Sequence, residues 1–277
     1  MAIMDAVTAT GMLGLVYGLV VGVSLGLTGG GGSIFAVPLL IYGLGIETRA
    51  AISLSLAAVG VTAGFGAVLR LKAREMELFP GFVFAVGGML LAPAGTWLGG
   101  LIPPVALLSV FAMLMILVAW RMWTGKPETQ RDPGPCVFNN RSRGDGKSPL
   151  AAGCYVRLIG AGAAAGVLSG LFGIGGGFII VPALLHVTGT SIHRAVSTSL
   201  MVIFLISLAG VGAHLLQGQQ FPMPVSALFV AGGFGGMLMG SGLRSRLSAA
   251  ALRKVFATGM CVVGAAMLVK NLVMTHP

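Results

Sequence analysis

Gly29-Gly30-Gly31-Gly32-Ser33-Ile34-Phe35-Ala36-Val37-Pro38 interrupts an otherwise apolar run, and the chain carries the pattern twice. The second copy reads Gly173-Ile174-Gly175-Gly176-Gly177-Phe178-Ile179-Ile180-Val181-Pro182, with Pro38 and Pro182 lying 144 positions apart. A glycine run is a poor helix and a poor strand. Non-helical backbone at membrane depth is tolerated only where protein or a water-filled cavity surrounds it. Paired interruptions at matching places in two halves point to the binding site of a transporter. The two breaks are therefore expected to face each other across a solute.

The composition supports a membrane setting. Of 277 residues, 56% are hydrophobic and 9% charged, and the mean hydropathy is +0.97. A soluble domain carries about 25% charged residues. A net charge of +10 is also a feature of nucleic-acid binders. However, the Lys and Arg residues sit between apolar segments, where they act as topology determinants. The chain is read as an all-α polytopic membrane protein of 8–10 transmembrane segments, with the lipid bilayer as partner and no nucleic acid. Cys136, Cys154 and Cys261 have no metal-like spacing and are expected to be free thiols, Cys261 as a small packing residue. No basic n-region precedes the first apolar segment, so that segment is expected to be retained.

Five apolar segments fall near residues 6–27, 33–44, 50–69, 81–98 and 105–123. Five more fall near 155–172, 178–187, 195–216 and 225–243, with the last ending near 273. Residues 1–124 and 151–277 thus form two homologous repeats, each with a glycine-rich broken helix, joined by a polar linker at 125–150. Ser53-Leu54-Ser55-Leu56 precedes Ser197-Thr198-Ser199-Leu200 by 144, and Gly87, Gly88 and Gly95 precede Gly232, Gly233 and Gly240 by 145.

Charge orients the repeats. The loop between segments 3 and 4 is basic in the first half (Arg70, Lys72, Arg74) and lacks Lys and Arg in the second. The loop between segments 4 and 5 reverses this, with Arg244, Arg246, Arg253 and Lys254 in the second half. Cytoplasmic loops collect Lys and Arg, so the halves are expected to form an inverted repeat. Ten passes with both termini outside place 15 of the 17 Lys and Arg residues inside, leaving Arg49 and Lys270 outside. Fusing segments 1 and 2 into one pass gives eight and strands the Arg244–Lys254 cluster.

The seven acidic residues (Asp5, Glu47, Glu75, Glu77, Glu128, Asp132 and Asp145) all avoid the middle of apolar segments. Buried carboxylates are the usual relays of cation and proton pumps, so a cationic substrate is disfavoured. An anion suits what remains. The N–H groups that open a helix lack internal partners and sit at its positive end. Candidate substrate-binding residues are Gly29, Gly30, Gly31, Gly32 and Ser33 at the first break, and Gly173, Gly175, Gly176 and Gly177 at the second. Ser53, Ser55, Ser197, Thr198 and Ser199 add hydroxyls at the start of segment 3 in each half. These glycines can also serve only to pack helices, and intramembrane Ser and Thr can bond their own backbone. Arg49 and Arg194 could draw anions to two mouths or simply anchor an interface. His186, His193 and His214 share no ligand spacing, so no metal or other cofactor is expected. Trp97, Trp120 and Trp123 suit membrane interfaces. Neither glycine run is followed by a Walker lysine, and Gly166-Val167-Leu168-Ser169-Gly170 is not a nucleophile elbow. The chain is not read as an enzyme.

At the two glycine motifs, the two serine motifs and Gly235-Gly236 with Gly240, the chain resembles the TauE/SafE family of membrane transporters, also called the sulfite exporter family. The resemblance covers nearly the whole chain except the linker. In the first copy Ser33 stands where Gly177 does, and Gly30 where Ile174 does. The resemblance implies a multi-pass cell inner membrane protein of about eight passes that moves small sulfur-containing anions such as sulfite or organosulfonates. The expected function is a secondary carrier or facilitator for a small anionic solute, with one inverted half moving against the other. An anion-selective channel and a non-transporting scaffold are the alternatives. A homo-oligomer is compatible with either.

Overall fold

Hydrocarbon offers no partner for backbone N–H and C=O groups, so apolar segments must satisfy them internally as helices. A computed structural model describes residues 2–72, 76–124, 152–217, 223–243 and 249–275, and contains helices and no strand among them. The first half holds α1 (Ala2–Thr28), α2 (Gly31–Gly43), α3 (Thr48–Lys72), α4 (Leu78–Leu101) and α5 (Pro104–Thr124). The second holds α6 (Ala152–Phe172), α7 (Gly177–Thr188), α8 (Ile192–Leu216), α9 (Met223–Leu243) and α10 (Ala249–Thr275). The linker and the basic turn at 244–248 lie outside the described residues.

Eight of these helices are long and apolar enough to cross a membrane; α2 and α7 are not. At about 1.5 Å per residue, the 12 residues of α7 reach about 18 Å, against a hydrocarbon core of about 30 Å. Within the expected 8–10 segments, the structure thus has eight long helices and two short ones, where the charge count preferred ten passes. The count of eight does not fuse the short pieces into their neighbours, because each break turns the chain back on itself. Cys154 is disulfide-bonded, which corrects the expectation of free thiols. Cys261 is free but exposed rather than packed.

The helices of the two halves interlock. Gly18, Gly22 and Gly26 recur every four residues on α1 and abut the backbone of Phe229, Gly233 and Met237 on α9. Gly162, Gly166 and Gly170 on α6 abut Phe84, Gly88 and Ala92 on α4. Each of these α6 glycines follows its α1 counterpart by 144 positions, so one packing scheme is used twice. Without a side chain, each glycine lets the partner backbone approach to contact distance, the small-residue packing of membrane helices.

The equivalent helices α3 and α8 cross antiparallel. Arg70, near the end of α3, reaches Ser197 near the start of α8, while Ser53 near the start of α3 meets His214 near the end of α8. Around the Arg70 end lie Lys72, the Arg194–Glu77 ion pair at 3.5 Å, and the start of α6, where Tyr155 packs edge-on to Phe79. Arg49 and Lys270 lie at the other end. Lys270 sits 4.8 Å from the Tyr42 ring centroid, and the neighbouring Asn271 donates to the Val105 carbonyl at the start of α5. Trp97 is exposed toward the Arg49 end, and Trp120 and Trp123 toward the Arg70 end.

Candidate functional site

The two breaks touch. A Cβ on Gly30 would stand 2.6 Å from Gly177 Cα, and one on Gly177 would stand 2.5 Å from Gly30 Cα. The heads of the short helices α2 and α7 therefore meet between α3 and α8. The surroundings repeat as well. Gly29 packs on Val196 and Gly173 packs on Ile52, again at equivalent positions.

The breaks differ in chemistry. The first closes on itself. Ser33 Oγ donates to the Gly30 carbonyl at 2.7 Å, and the Gly32 N–H donates to Thr28 Oγ1 at 3.2 Å. Ser199 Oγ donates across to the Gly29 carbonyl at 2.6 Å. Gly31 and Gly32 lie against the end of α1, near Thr28 and Ser24. The chain there tightens into a 3₁₀ turn over Gly31–Phe35.

The second break is held by backbone turns. Gly173, Gly175 and Gly176 all have φ between 65° and 69°, the left-handed region that glycine enters without a Cβ clash. The Gly176 carbonyl accepts from both Ile179 and Ile180. The first N–H groups of α7, on Gly177 and Phe178, have no carbonyl one turn earlier in the helix to meet. Ser169 and Ser207 flank this turn and Ser55 lies on the α3 face that packs on it, all three buried and without a hydrogen-bond partner among the described residues. Ser207 Oγ lies 3.3 Å from where a Cβ on Gly175 would stand, and Ser169 Cβ lies 3.5 Å from the same point on Gly176. Ser55 shares a face of α3 with Ile52 and Val59, by their spacing of three and seven. Those two residues contact Gly173 and Gly175. A buried hydroxyl with no partner carries an uncompensated desolvation penalty of about 1–3 kcal/mol. Three of them at one turn make a donor set without an internal acceptor.

The other candidate hydroxyls go elsewhere. Ser53 and Ser197 bond back to the carbonyls of Arg49 and His193, one turn earlier on their own helices. Thr198 Oγ1 accepts from the Glu77 N–H. All three serve the ends of α3 and α8 rather than the breaks. Ser169 and Ser207 were not singled out as ligands from sequence. The signal was there: the equivalent first-half positions are Leu25 and Ala63, so both serines are polar departures from an apolar register.

The order of glycine breaks, serine motifs and late glycines matches a known family over most of the chain. A model of the family described as "Sulfite exporter TauE/SafE" matches residues 14–267. The chain belongs to the TauE/SafE family. A "Probable membrane transporter protein" of Xylella fastidiosa (strain Temecula1) is 33% identical, covering 91% of this chain and 92% of that protein. The "Probable membrane transporter protein YunE" of Bacillus subtilis is 24% identical, covering 93% and 97%. A second Bacillus subtilis protein, "Probable membrane transporter protein YdhB", is 28% identical, covering 75% and 80%. No solved structure matches. This TauE/SafE chain is therefore a multi-pass protein of a membrane transporter family, and its breaks lie within the matched region.

Proposed function

We propose that the protein is a secondary carrier or facilitator for a small oxyanion, with sulfite or an organosulfonate as the solute. The observation that carries this reading is the second break. Ser55, Ser169 and Ser207 bring to the head of α7 hydroxyls that have no internal acceptor among the described residues. An oxyanion supplies several acceptor oxygens and no donors, which complements hydroxyls and the positive end of a helix. The absence of any carboxylate from the middle of an apolar segment argues against a cation site.

The two halves are read as inverted in the cell inner membrane. The antiparallel α3–α8 crossing and the gathering of Arg70, Lys72 and Arg194 at one end support this, with that end cytoplasmic by the positive-inside rule. The moving bodies are not the sequence halves. Sliding one half past the other would separate the glycine-packed pairs α1–α9 and α4–α6. Each pair moves as a unit, and the breaks between them carry the change.

Flux tests the reading. Purified protein in proteoliposomes should show saturable uptake and counterflow of labelled sulfite or methanesulfonate, reduced at least tenfold by Ser207→Ala combined with Ser169→Ala. Absence of flux with both anions under imposed gradients would overturn it.

A further inference from the structure

A small cavity opens where α3 begins, bordered by Arg49, Thr96, Gly100, Gly170, His214 and Gln217. We propose that it is a second anion site, one that binds a small oxyanion together with one proton. It lies at the Arg49 end and adjoins the second break, because Ile52, which packs on Gly173, also borders it.

Arg49 and His214 supply the chemistry. Arg49 Nη2 donates to the Gly100 carbonyl at 2.9 Å, which fixes the guanidinium at the exposed rim. His214 is buried, with 7% of its surface exposed. Its Nδ1 lies 3.2 Å from Ser53 Oγ, and its Nε2 is buried with no partner. Ser53 Oγ donates to the Arg49 carbonyl at 3.0 Å, so it is an acceptor toward Nδ1–H. That tautomer leaves a bare lone pair on Nε2. An oxyanion also presents lone pairs. The two can meet only through a proton, brought by the solute as a weak acid or taken up by the ring from water. Either way, one proton is bound with each anion and no bond other than N–H or O–H changes. Among the residues bordering the cavity, Arg49 is the charged group and His214 the titratable one. Thr96 from α4 and Gln217 from α8 are neutral, and α6 contributes Gly170 and Leu171.

The opposite end shows the alternative. Arg70 holds the position equivalent to His214, 144 residues earlier, and Gly26 holds that of Gly170. There a permanently charged side chain reaches its neighbours, donating to Ser197 Oγ at 3.2 Å and to the Gly26 carbonyl at 2.9 Å. At the Arg49 end the shorter imidazole leaves room and a group whose charge can change.

The biological sense of this site rests on the carrier reading, but its test does not. Methanesulfonate keeps one charge between pH 5 and 8, so any proton taken up comes to the protein. Calorimetric titration of the purified full chain in two buffers of different ionisation enthalpy counts protons per anion. We expect close to one proton taken up per protein at saturation at pH 8, carried by one binding phase whose affinity falls about tenfold per pH unit above the imidazole's titration. His214→Gln should abolish both the proton uptake and the pH dependence. Arg49→Gln should weaken binding at least tenfold at every pH. Binding without proton uptake, an unchanged pH dependence in His214→Gln, or no binding between pH 5 and 8 would each overturn the site. Proton-linked binding without flux would overturn the carrier and leave the site, whereas flux with pH-independent binding would do the reverse.

Discussion

The guanidinium of Arg70 donates to the hydroxyl of Ser197 across α3 and α8, and 144 residues on the same geometry recurs as His214 with Ser53. The duplicated helices thus keep one contact with two chemistries, a fixed charge at one end and a titratable ring at the other.

From a buried position Arg70 donates charge-assisted hydrogen bonds to Ser197 and to the Gly26 carbonyl. Bonds to charged groups contribute about 1.5–3 kcal/mol each. Arg70→Ala should therefore destabilise the protein by about 3 kcal/mol or more, read as a lowered midpoint in thermal unfolding. His214→Ala, which loses one neutral bond, should cost about 1 kcal/mol.

Neighbouring glycines on α9 should behave in opposite ways. A Cβ on Gly236 would overlap the Leu19 carbonyl of α1, and backbone cannot move aside cheaply. A Cβ on Gly235 meets nothing within 4 Å. Gly236→Ala should lower expression and thermal stability. Gly235→Ala should leave stability unchanged or raise it by up to about 1 kcal/mol, the helix propensity gain. Size-exclusion profiles and melting curves of the two variants would check this.

Serines at the two breaks should separate stability from transport. Ser199→Ala removes the donor to the buried Gly29 carbonyl and should destabilise by about 1–3 kcal/mol. Ser207→Ala and Ser169→Ala remove hydroxyls without partners, so stability should hold or rise while anion flux falls. Melting curves and liposome flux on the same preparations provide the comparison. A drop in stability for the Ser207 variant would show that its hydroxyl is structural.

Glu77, between α3 and α4, has its carboxyl raised above the usual value of 4.5 by burial, partly offset by the hydrogen bond and charge of Arg194. A raised carboxyl favours the folded state while protonated. Its contribution is full below pH 4.5 and is lost as pH rises through the higher folded-state value. Glu77→Gln should remove this component, so the variant's melting temperature should fall less than the wild type's between pH 4.5 and 7.

Much of the architecture is legible in the residues because it depends on local spacing. Glycines every four positions on the first segment of each repeat mark the faces that become the α1–α9 and α4–α6 contacts. The offset of 144 finds equivalent helices before any contact is known. The shortness of α2 and α7 is also visible in the apolar run lengths, whereas charge counting required only that each half reverse the side of its loops. Charge reports the side on which a loop emerges, not how deep the intervening segment reaches.

By itself the sequence determined a helical membrane protein, the recurrence of its motifs at an offset of 144, the two breaks and the lack of carboxylates in mid-segment, since each follows from composition or from spacing along the chain. Only the tertiary structure decided that the two breaks are chemically unequal. Ser55 and Ser199 occupy equivalent positions, yet Ser199 reaches the Gly29 carbonyl and Ser55 reaches no acceptor. The physical reason is that a hydroxyl's role is set by the group across from it. That group comes from another helix, more than a hundred residues away in the chain.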